Sequence, residues 1–341
     1  MGEKLERIRI ARLAEGGPTA AETAGWHALV NACAAESEDG PAPRELAGTA
    51  AELRAAGSVG RPQRWLAWDG DTAVGLARVR LRDDGTGGRP ARFRVSVLPG
   101  QRGHGIGAAL LAEVRAAAVA AKCDSLLTGV AAGSPGDSFL AAAGFAPAGD
   151  VLRLLLRVAD CDQEALRGTV RTASDGYELT RWQGVAPADL IGSFGTVRDT
   201  VNDRPAGGLD VGARHWDEDR VRSFAQDKAA LGHTLLTVAA LGTDGGGGEV
   251  VAGFSEMVLQ GGGAARALQS GTAVLREHRG HGLGLWLKAA MLEWLLGAHP
   301  EVEEVVTSCD AANLHMIAIN EELGFRPDGD IRYHRLALTG D

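Results

Sequence analysis

Two segments of this chain, Val97–Leu111 (VLPGQRGHGIGAALL) and Thr272–Lys288 (TAVLREHRGHGLGLWLK), are versions of one pattern. Each reads as a strand running through an Arg-Gly-His-Gly-x-Gly turn straight into a helix. In the second copy, Thr272–Leu275 is the extended end of the strand, and Leu287, Ala290, Met291, Trp294 and Leu295 fall on one helical face. Arg102 matches Arg279, Gly105 matches Gly282, and Gly107 matches Gly284. A Gly-Phe pair follows each turn at similar distance, Gly144-Phe145 and then Gly324-Phe325. Duplication of a whole domain is the economical explanation. Glycines let several amides point into one concavity, and a helix start adds partial positive charge. Each segment therefore predicts an anion cradle suited to a phosphate or pyrophosphate.

The length of 341 residues accommodates about two ordinary domains. The polar stretch Ala159–Ser174 lacks strong periodicity and is the expected junction, giving domains 1–165 and 166–341. Hydrophobic content of 45% and charged content of 23% are those of a globular protein. No run approaches the roughly 18 apolar residues of a membrane helix, and the opening MGEKLERIRI lacks a signal-peptide core. A net charge of −9 argues against a nucleic-acid partner and weakly favours a cationic substrate. Cys33, Cys123, Cys161 and Cys309 form no CxxC pair, so neither a metal site nor a disulfide framework is expected, and the setting is read as cytoplasmic.

The halves repeat one order of elements. In the first, a strand at 5–11 precedes helices near 19–35 and 43–56, the latter ending at Gly57. A hairpin comes next, Arg64–Asp69 with Ala73–Leu81 around Gly70-Asp71. Arg92–Leu98 feeds the turn, Gly107–Ala121 is the helix after it, and Ser125–Val130, Asp137–Ala143 and Val151–Val158 complete the half. The second half repeats this with a strand at Tyr177–Trp182 and helices at Ala188–Val197 and Asp217–Leu231. A hairpin of Thr234–Ala240 with Glu249–Leu259 and the feeding strand Ala267–Leu275 come next, and Val302–Ser308, Asn313–Leu323 and Ile331–Leu338 close it.

The turns do not fit other phosphate motifs. A dinucleotide fingerprint wants GxGxxG early in a βαβ unit, and a Walker loop wants Gly-Lys-Ser/Thr. The arrangement Arg102-x-x-Gly105-x-Gly107 and Arg279-x-x-Gly282-x-Gly284, with Asn313…Asn320…Leu323-Gly324-Phe325 downstream, resembles the GCN5-related N-acetyltransferase (GNAT) family. The resemblance covers nearly the whole chain as tandem copies, similar in arrangement to mycothiol synthase and other bacterial two-domain acetyltransferases. It implies an α+β fold with a mixed sheet in each domain. It also implies acetyl-CoA as donor and a primary amine of a small metabolite, antibiotic-like compound or peptide as acceptor, with the oligomeric state left open.

The roles of individual residues are carried by that resemblance. The pyrophosphate is expected on the amides of Arg279, Gly280, His281, Gly282, Leu283 and Gly284, and the pantetheine arm along Ala273, Val274 and Leu275. In the first copy the same role falls to Val97, Arg102, Gly103, His104, Gly105, Ile106 and Gly107. The feeding strand of the second copy has no carboxylate, so Glu256 is the candidate base, or else a solvent-facing strand glutamate. Asn320, with Leu140 as its first-copy counterpart, stands where many relatives have a tyrosine acid; Tyr333 is a replacement candidate or a core or rim residue. Asn313 is either a cofactor contact or a helix cap. The matched His104 and His281 suggest a fold role, and His215, His233 and His334 are cleft candidates or structural. Asp199, Asn202, Asp203, Asp210, Asp217 and Asp219 either attract an ammonium group or form a solvated loop. The first copy lacks both asparagines, so the second is expected to catalyse, with the first structural or a weak CoA binder. The other reading is a non-catalytic acyl-CoA sensor or scaffold.

Overall fold

A computed structural model describes residues 6–14, 17–36, 43, 45–54, 61–81, 90–172, 175–202, 215–261 and 265–338. Gly57, Ser174, Asp203 and Asp210 lie outside them, as does the side chain of Asn202. The chain forms two compact units, Met1–Ala148 with Tyr333–Asp341, and Gly149–Arg332. Both are α+β.

The first unit opens with β1 (Ile8–Arg12), α1 (Ala20–Ala34) and α2 (Leu46–Arg54), then β2 (Arg61–Asp69), β3 (Thr72–Leu81) and β4 (Pro90–Val97). Then come α3 (Ile106–Ala120), β5 (Ser125–Ala131), α4 (Pro135–Ala142) and the first residues of β6 (Ala146–Arg157). Helix α1 starts where it does because Thr19 and Glu22 close a capping box. β1 to β4 run antiparallel in order, and β5 joins β4 in parallel. The sheet is apolar on both faces. Val79, Phe93, Leu110, Val114 and Phe145 pack on the α3 side, and Trp26, Leu29, Leu53, Leu66 and Trp68 on the α1 side. Gly75 lets α3 cross the sheet closely, since a Cβ there would stand 3.0 Å from Leu110.

The second unit contains α5 (Gln163–Arg171), β7 (Glu178–Gln183), α6 (Ile191–Asp199), α7 (Glu218–Ala230), β8 (Thr234–Thr243) and β9 (Glu249–Leu259). It continues with β10 (Arg266–Val274), α8 (Leu283–Ala298), β11 (Glu304–Asp310), α9 (Leu314–Glu322) and most of β12 (Arg326–Ala337). Its strand order is β6-β11-β10-β9-β8-β7, with β10 and β11 parallel. Gly253 does for α8 what Gly75 does for α3, with Leu287 at 3.0 Å from a Cβ placed there. α8 is buried almost all round, its Leu283, Leu287, Met291 and Leu295 forming the centre of the core.

Two features differ from the sequence reading. The expected junction carries a helix that its weak periodicity does not predict, α5. Asp162 caps that helix, Leu166 is buried, and the carbonyl of Val170 accepts from Trp286 Nε1 at 3.0 Å. Nor do the units coincide with a cut near residue 165, because each half's closing strand is shared. From Gly149 onward β6 belongs to the second unit and runs antiparallel to β11, Arg157 opposite Glu304 and Val151 opposite Asp310. From Tyr333 onward β12 belongs to the first unit, where Leu338 N donates to Asp124 O at 2.7 Å.

Candidate active site

In the second unit the parallel pair β10–β11 is a fork. The strands pair only from Arg266–Gln269 with Glu304–Thr307. Beyond that point β10 stays bonded to β9, Gly271 opposite Glu256 through Val274 opposite Gly253, and has no ladder partner on its other edge among the described residues. Thr307 Oγ1 donates to Gln269 O (3.4 Å) where the fork opens. A single 3₁₀ turn, Arg276–His278, leads to Gly280 (φ 86°) and Gly282 (φ 72°), both in the left-handed region where a side chain would be strained. Gly282 is the N-cap of α8 and supplies no side-chain acceptor, so the first amides of the helix carry no cap. Arg279 Nε ties the turn to the strand through Val274 O (3.2 Å). Gly284 has a different reason: a Cβ there would meet Ile319 at 3.2 Å.

The first unit builds the same object. β4 and β5 pair from Pro90–Arg92 with Ser125–Leu127 and then part, with Thr128 Oγ1 donating to Phe93 O at 2.8 Å. Gly103 (φ 77°) and Gly105 (φ 82°) lead into α3, again without a side-chain cap. Arg102 Nε donates to Val97 O at 3.0 Å, and its Nη2 pairs with Glu36 at 2.6 Å. His104 and His281 each hold Nδ1 at 3.3 Å from a carbonyl earlier in their turn, that of Gln101 and that of His278. His278 is in turn buried against Tyr177, whose hydroxyl lies 2.9 Å from His278 Nδ1. An open strand edge beside an uncapped helix start, with bare glycines between them, fits a phosphate-bearing cofactor with an amide-containing arm.

The acetyltransferase (GNAT) family model matches residues 27–145, from within α1 to Phe145. Over 98% of its length the chain is similar to a tandem GNAT protein from the clavulanic acid biosynthesis pathway, solved without AcCoA, at 27% identity, TM-score 0.80 and 99% coverage of that chain. Residues 27–145 match the GNAT family, and the chain as a whole shares the fold of a tandem GNAT protein. A GCN5-related N-acetyltransferase from Sphaerobacter thermophilus shares the fold at 16% identity and TM-score 0.66, covering 98% of this chain and 97% of that one. The glucosamine N-acetyltransferase region of a fungal multi-domain β-N-acetylglucosaminidase is alike in fold at 13% identity and TM-score 0.63, over 96% of this chain and 38% of that one. No curated protein matches the chain.

The three residues expected to catalyse in the second copy each sit in surroundings that the sequence does not show. Glu256 is 2% exposed, and its Oε1 accepts from Arg198 Nη1 of α6 at 2.5 Å. That guanidinium is enclosed by aromatic rings, 3.7 Å above Trp216 and 4.7 Å from Phe224, with Phe194 and Phe254 behind. Burial pushes the Glu256 carboxyl up and the Arg198 guanidinium down, and each opposes the shift of the other. A carboxylate held this way is not free to take a proton from an amine. Asn320 is fully buried, with neither side-chain N nor O hydrogen-bonded among the described residues. Tyr333 belongs to the first unit, where its hydroxyl accepts from Arg92 Nη2 at 3.1 Å. Asn313 caps α9, accepting from Met316 N at 3.1 Å.

Five further candidates, Asp199, His215, Asp217, Asp219 and His233, are engaged in structure. His215 and Trp216 N both bond to Asp199, Asp217 caps α7, and Asp219 lies 3.4 Å from Arg222. His233 accepts from Gly261 N. Three features of the structure escape a reading of the sequence. Arg198 stands one helical turn from Phe194 on the buried side of α6, the one signal that could have found it. Lys288 is buried in α8, its Nζ 5.5 Å from the Phe325 ring centroid, and burial lowers it to about 7 although nearby Cys309 raises it. The third is the contact of His334 with Asp137 at 2.7 Å.

Proposed function

We propose that this protein transfers acetyl from acetyl-CoA to the primary amine of a small, antibiotic-like metabolite. The observation that carries this is the repeated fork: an unpartnered strand edge feeding an uncapped helix start, present in both units. Residues Ala273–Leu275 and Arg279–Gly284 would hold the cofactor in the second unit, and Val97 and Arg102–Gly107 in the first. The bound thioester supplies an activated acyl group. The chain's own contribution is to orient that group with backbone amides and to manage protons. The similarity to a protein of the clavulanic acid pathway supports a small-molecule acceptor.

The division of labour expected from sequence, with a catalytic second copy, draws less support. Glu256 is sealed under Arg198 and Tyr333 is in the first unit. The family match also falls on the first copy. A second reading, that the second unit binds acyl-CoA without turning it over, is favoured by that sealed carboxylate. Calorimetric titration with acetyl-CoA tests both units together. Two sites per chain are expected; Gly105→Glu should remove one and Gly282→Glu the other, each with at least about 100-fold weaker binding at its site, since several charge-assisted hydrogen bonds are lost. Thiol release with a panel of amines should then follow Gly105, not Gly282. Absence of any acetyl-CoA binding would sink the reading.

A further inference from the structure

His334 reaches the first unit from the far end of the chain, on the exchanged end of β12. It is 1% exposed, and its Nε2 lies 2.7 Å from Asp137 Oδ1 in the first turn of α4. Asp137 is itself fixed, its Oδ2 accepting from Gly133 N at 2.8 Å. With a carboxylate on Nε2, the tautomer is set and Nδ1 is the atom left to exchange a proton. That Nδ1 is buried and has no hydrogen-bond partner among the described residues. An unmet buried polar atom costs about 1–3 kcal/mol, so the site favours an occupant that meets it.

The surroundings identify where that occupant lies. α4 comes directly after β5, one arm of the fork. Tyr333, next to His334, receives a hydrogen bond from Arg92, the last β4 residue paired before the strands part. Neighbouring strand residues face opposite ways, so Tyr333 and Arg92 occupy one face while His334 joins Asp137 on the other. Asp124, which precedes β5, accepts from Ser125 Oγ. At the second fork, by contrast, β6 sets Leu154 opposite Thr307.

We propose that His334, oriented by Asp137, is a catalytic residue of the first unit that carries the proton at the sulfur of the donor lodged in the β4–β5 fork. This rests on the acetyl-CoA reading above. When the acyl group passes from sulfur to an amine nitrogen, the C–S bond breaks and an N–C bond forms. Nδ1–H of the imidazolium gives its proton to the departing sulfur, which leaves a neutral ring with Nε2–H on Asp137, and the imidazolium is restored by the proton the amine gives up. Asp137 stabilises the imidazolium that exists between turnovers.

The test uses the full chain carrying Gly282→Glu, so that only the first fork is loaded, with CoA and desulfo-CoA as probes. Ring-nitrogen NMR, with His334 assigned among the nine histidines by its change in Asp137→Asn and its loss in His334→Gln, should show Nδ1 responding to CoA and not to desulfo-CoA. The bound CoA thiol, followed by thiolate absorbance, should ionise about one pH unit lower with Asp137 present than in Asp137→Asn, because an adjacent imidazolium favours thiolate. Equal ring responses to the two probes, or unchanged thiol ionisation in Asp137→Asn with CoA still bound, overturns the assignment and leaves the dyad a bolt between β12 and α4. If His334→Gln does not fold, the Asp137→Asn comparison decides alone. Loss of CoA binding altogether defeats the acetyl-CoA reading of the first fork, and this proposal with it.

Discussion

At matching places on β3 and β9, just past the glycines that seat the helices, the two units carry ion pairs of opposite polarity. The first has Arg78 on the strand, 3.1 Å from Glu52 of α2, with both side chains partly exposed. The second has Glu256 on the strand and Arg198 on the helix, both buried and boxed in by aromatic rings. The cradles beside them are alike in kind, because backbone and glycine build them. What distinguishes the units is which side chains other segments bring to that frame. In the second, an arginine neutralises the strand carboxylate; in the first, the exchanged strand delivers a histidine with its own carboxylate. The two units share the glycine turn and differ in the side chains around it.

The sharpest way to break this comparison is through the ion pairs. Arg198→Met strands the Glu256 charge in the core and should cost about 3–5 kcal/mol in the urea unfolding of the second unit, followed by Trp182 and Trp216 fluorescence. Converting both residues to Met should restore most of that loss, since a buried pair offsets its own desolvation poorly. Glu52→Ala in the first unit should cost under about 1 kcal/mol, because its partner remains in contact with water. Similar losses for Arg198→Met and Glu52→Ala would mean the polarity reversal has no energetic content.

Much of this is legible in the residues. The repeated turn and the element order follow from glycine spacing and strand patterning. Helix α5 leaves little signal because Leu166 and Val170 are nearly its only apolar residues, too few to set a period. The facing of Glu256 cannot be read because β9 is buried on both sides and an irregularity in its pairing with β8, between Ala240 and Leu241, interrupts the alternation. Exchange of the closing strands leaves no local mark, because a strand's own pattern does not say which sheet it joins. That exchange takes Tyr333 and His334 away from the copy to which sequence order assigns them.

Lys288 offers a second contrast. The corresponding residue of the first unit is Leu111, which packs against an apolar core. Lys288 is lowered by burial from 10.5 to about 7, so between those values the unfolded chain holds a proton the folded protein lacks. Stability from this group is therefore complete above about pH 10.5 and is lost as pH falls toward 7. Lys288→Leu should stabilise the second unit by about 2–4 kcal/mol near neutral pH, and the gain should shrink steadily in alkaline buffer. Denaturant midpoints measured across that range check the slope. A gain independent of pH would show that the lysine is not the titrating group.

The smallest effects separate the third glycine of each turn from the first two. Gly107 and Gly284 sit inside their helices, where alanine is worth roughly 0.5–1 kcal/mol over glycine. A Cβ at Gly107 would rest 3.4 Å from the Phe139 ring, ordinary contact, whereas at Gly284 it would meet Ile319 Cδ1 at 3.2 Å. Gly107→Ala should thus be neutral or slightly stabilising, and Gly284→Ala about 0.5 kcal/mol less favourable, unless Ile319 rotates away. Both should bind acetyl-CoA as the unmodified protein does, since no amide is removed. If either abolishes binding while the fold survives, the third glycine faces the phosphates, and the cradle is wider than the two left-handed glycines that open it.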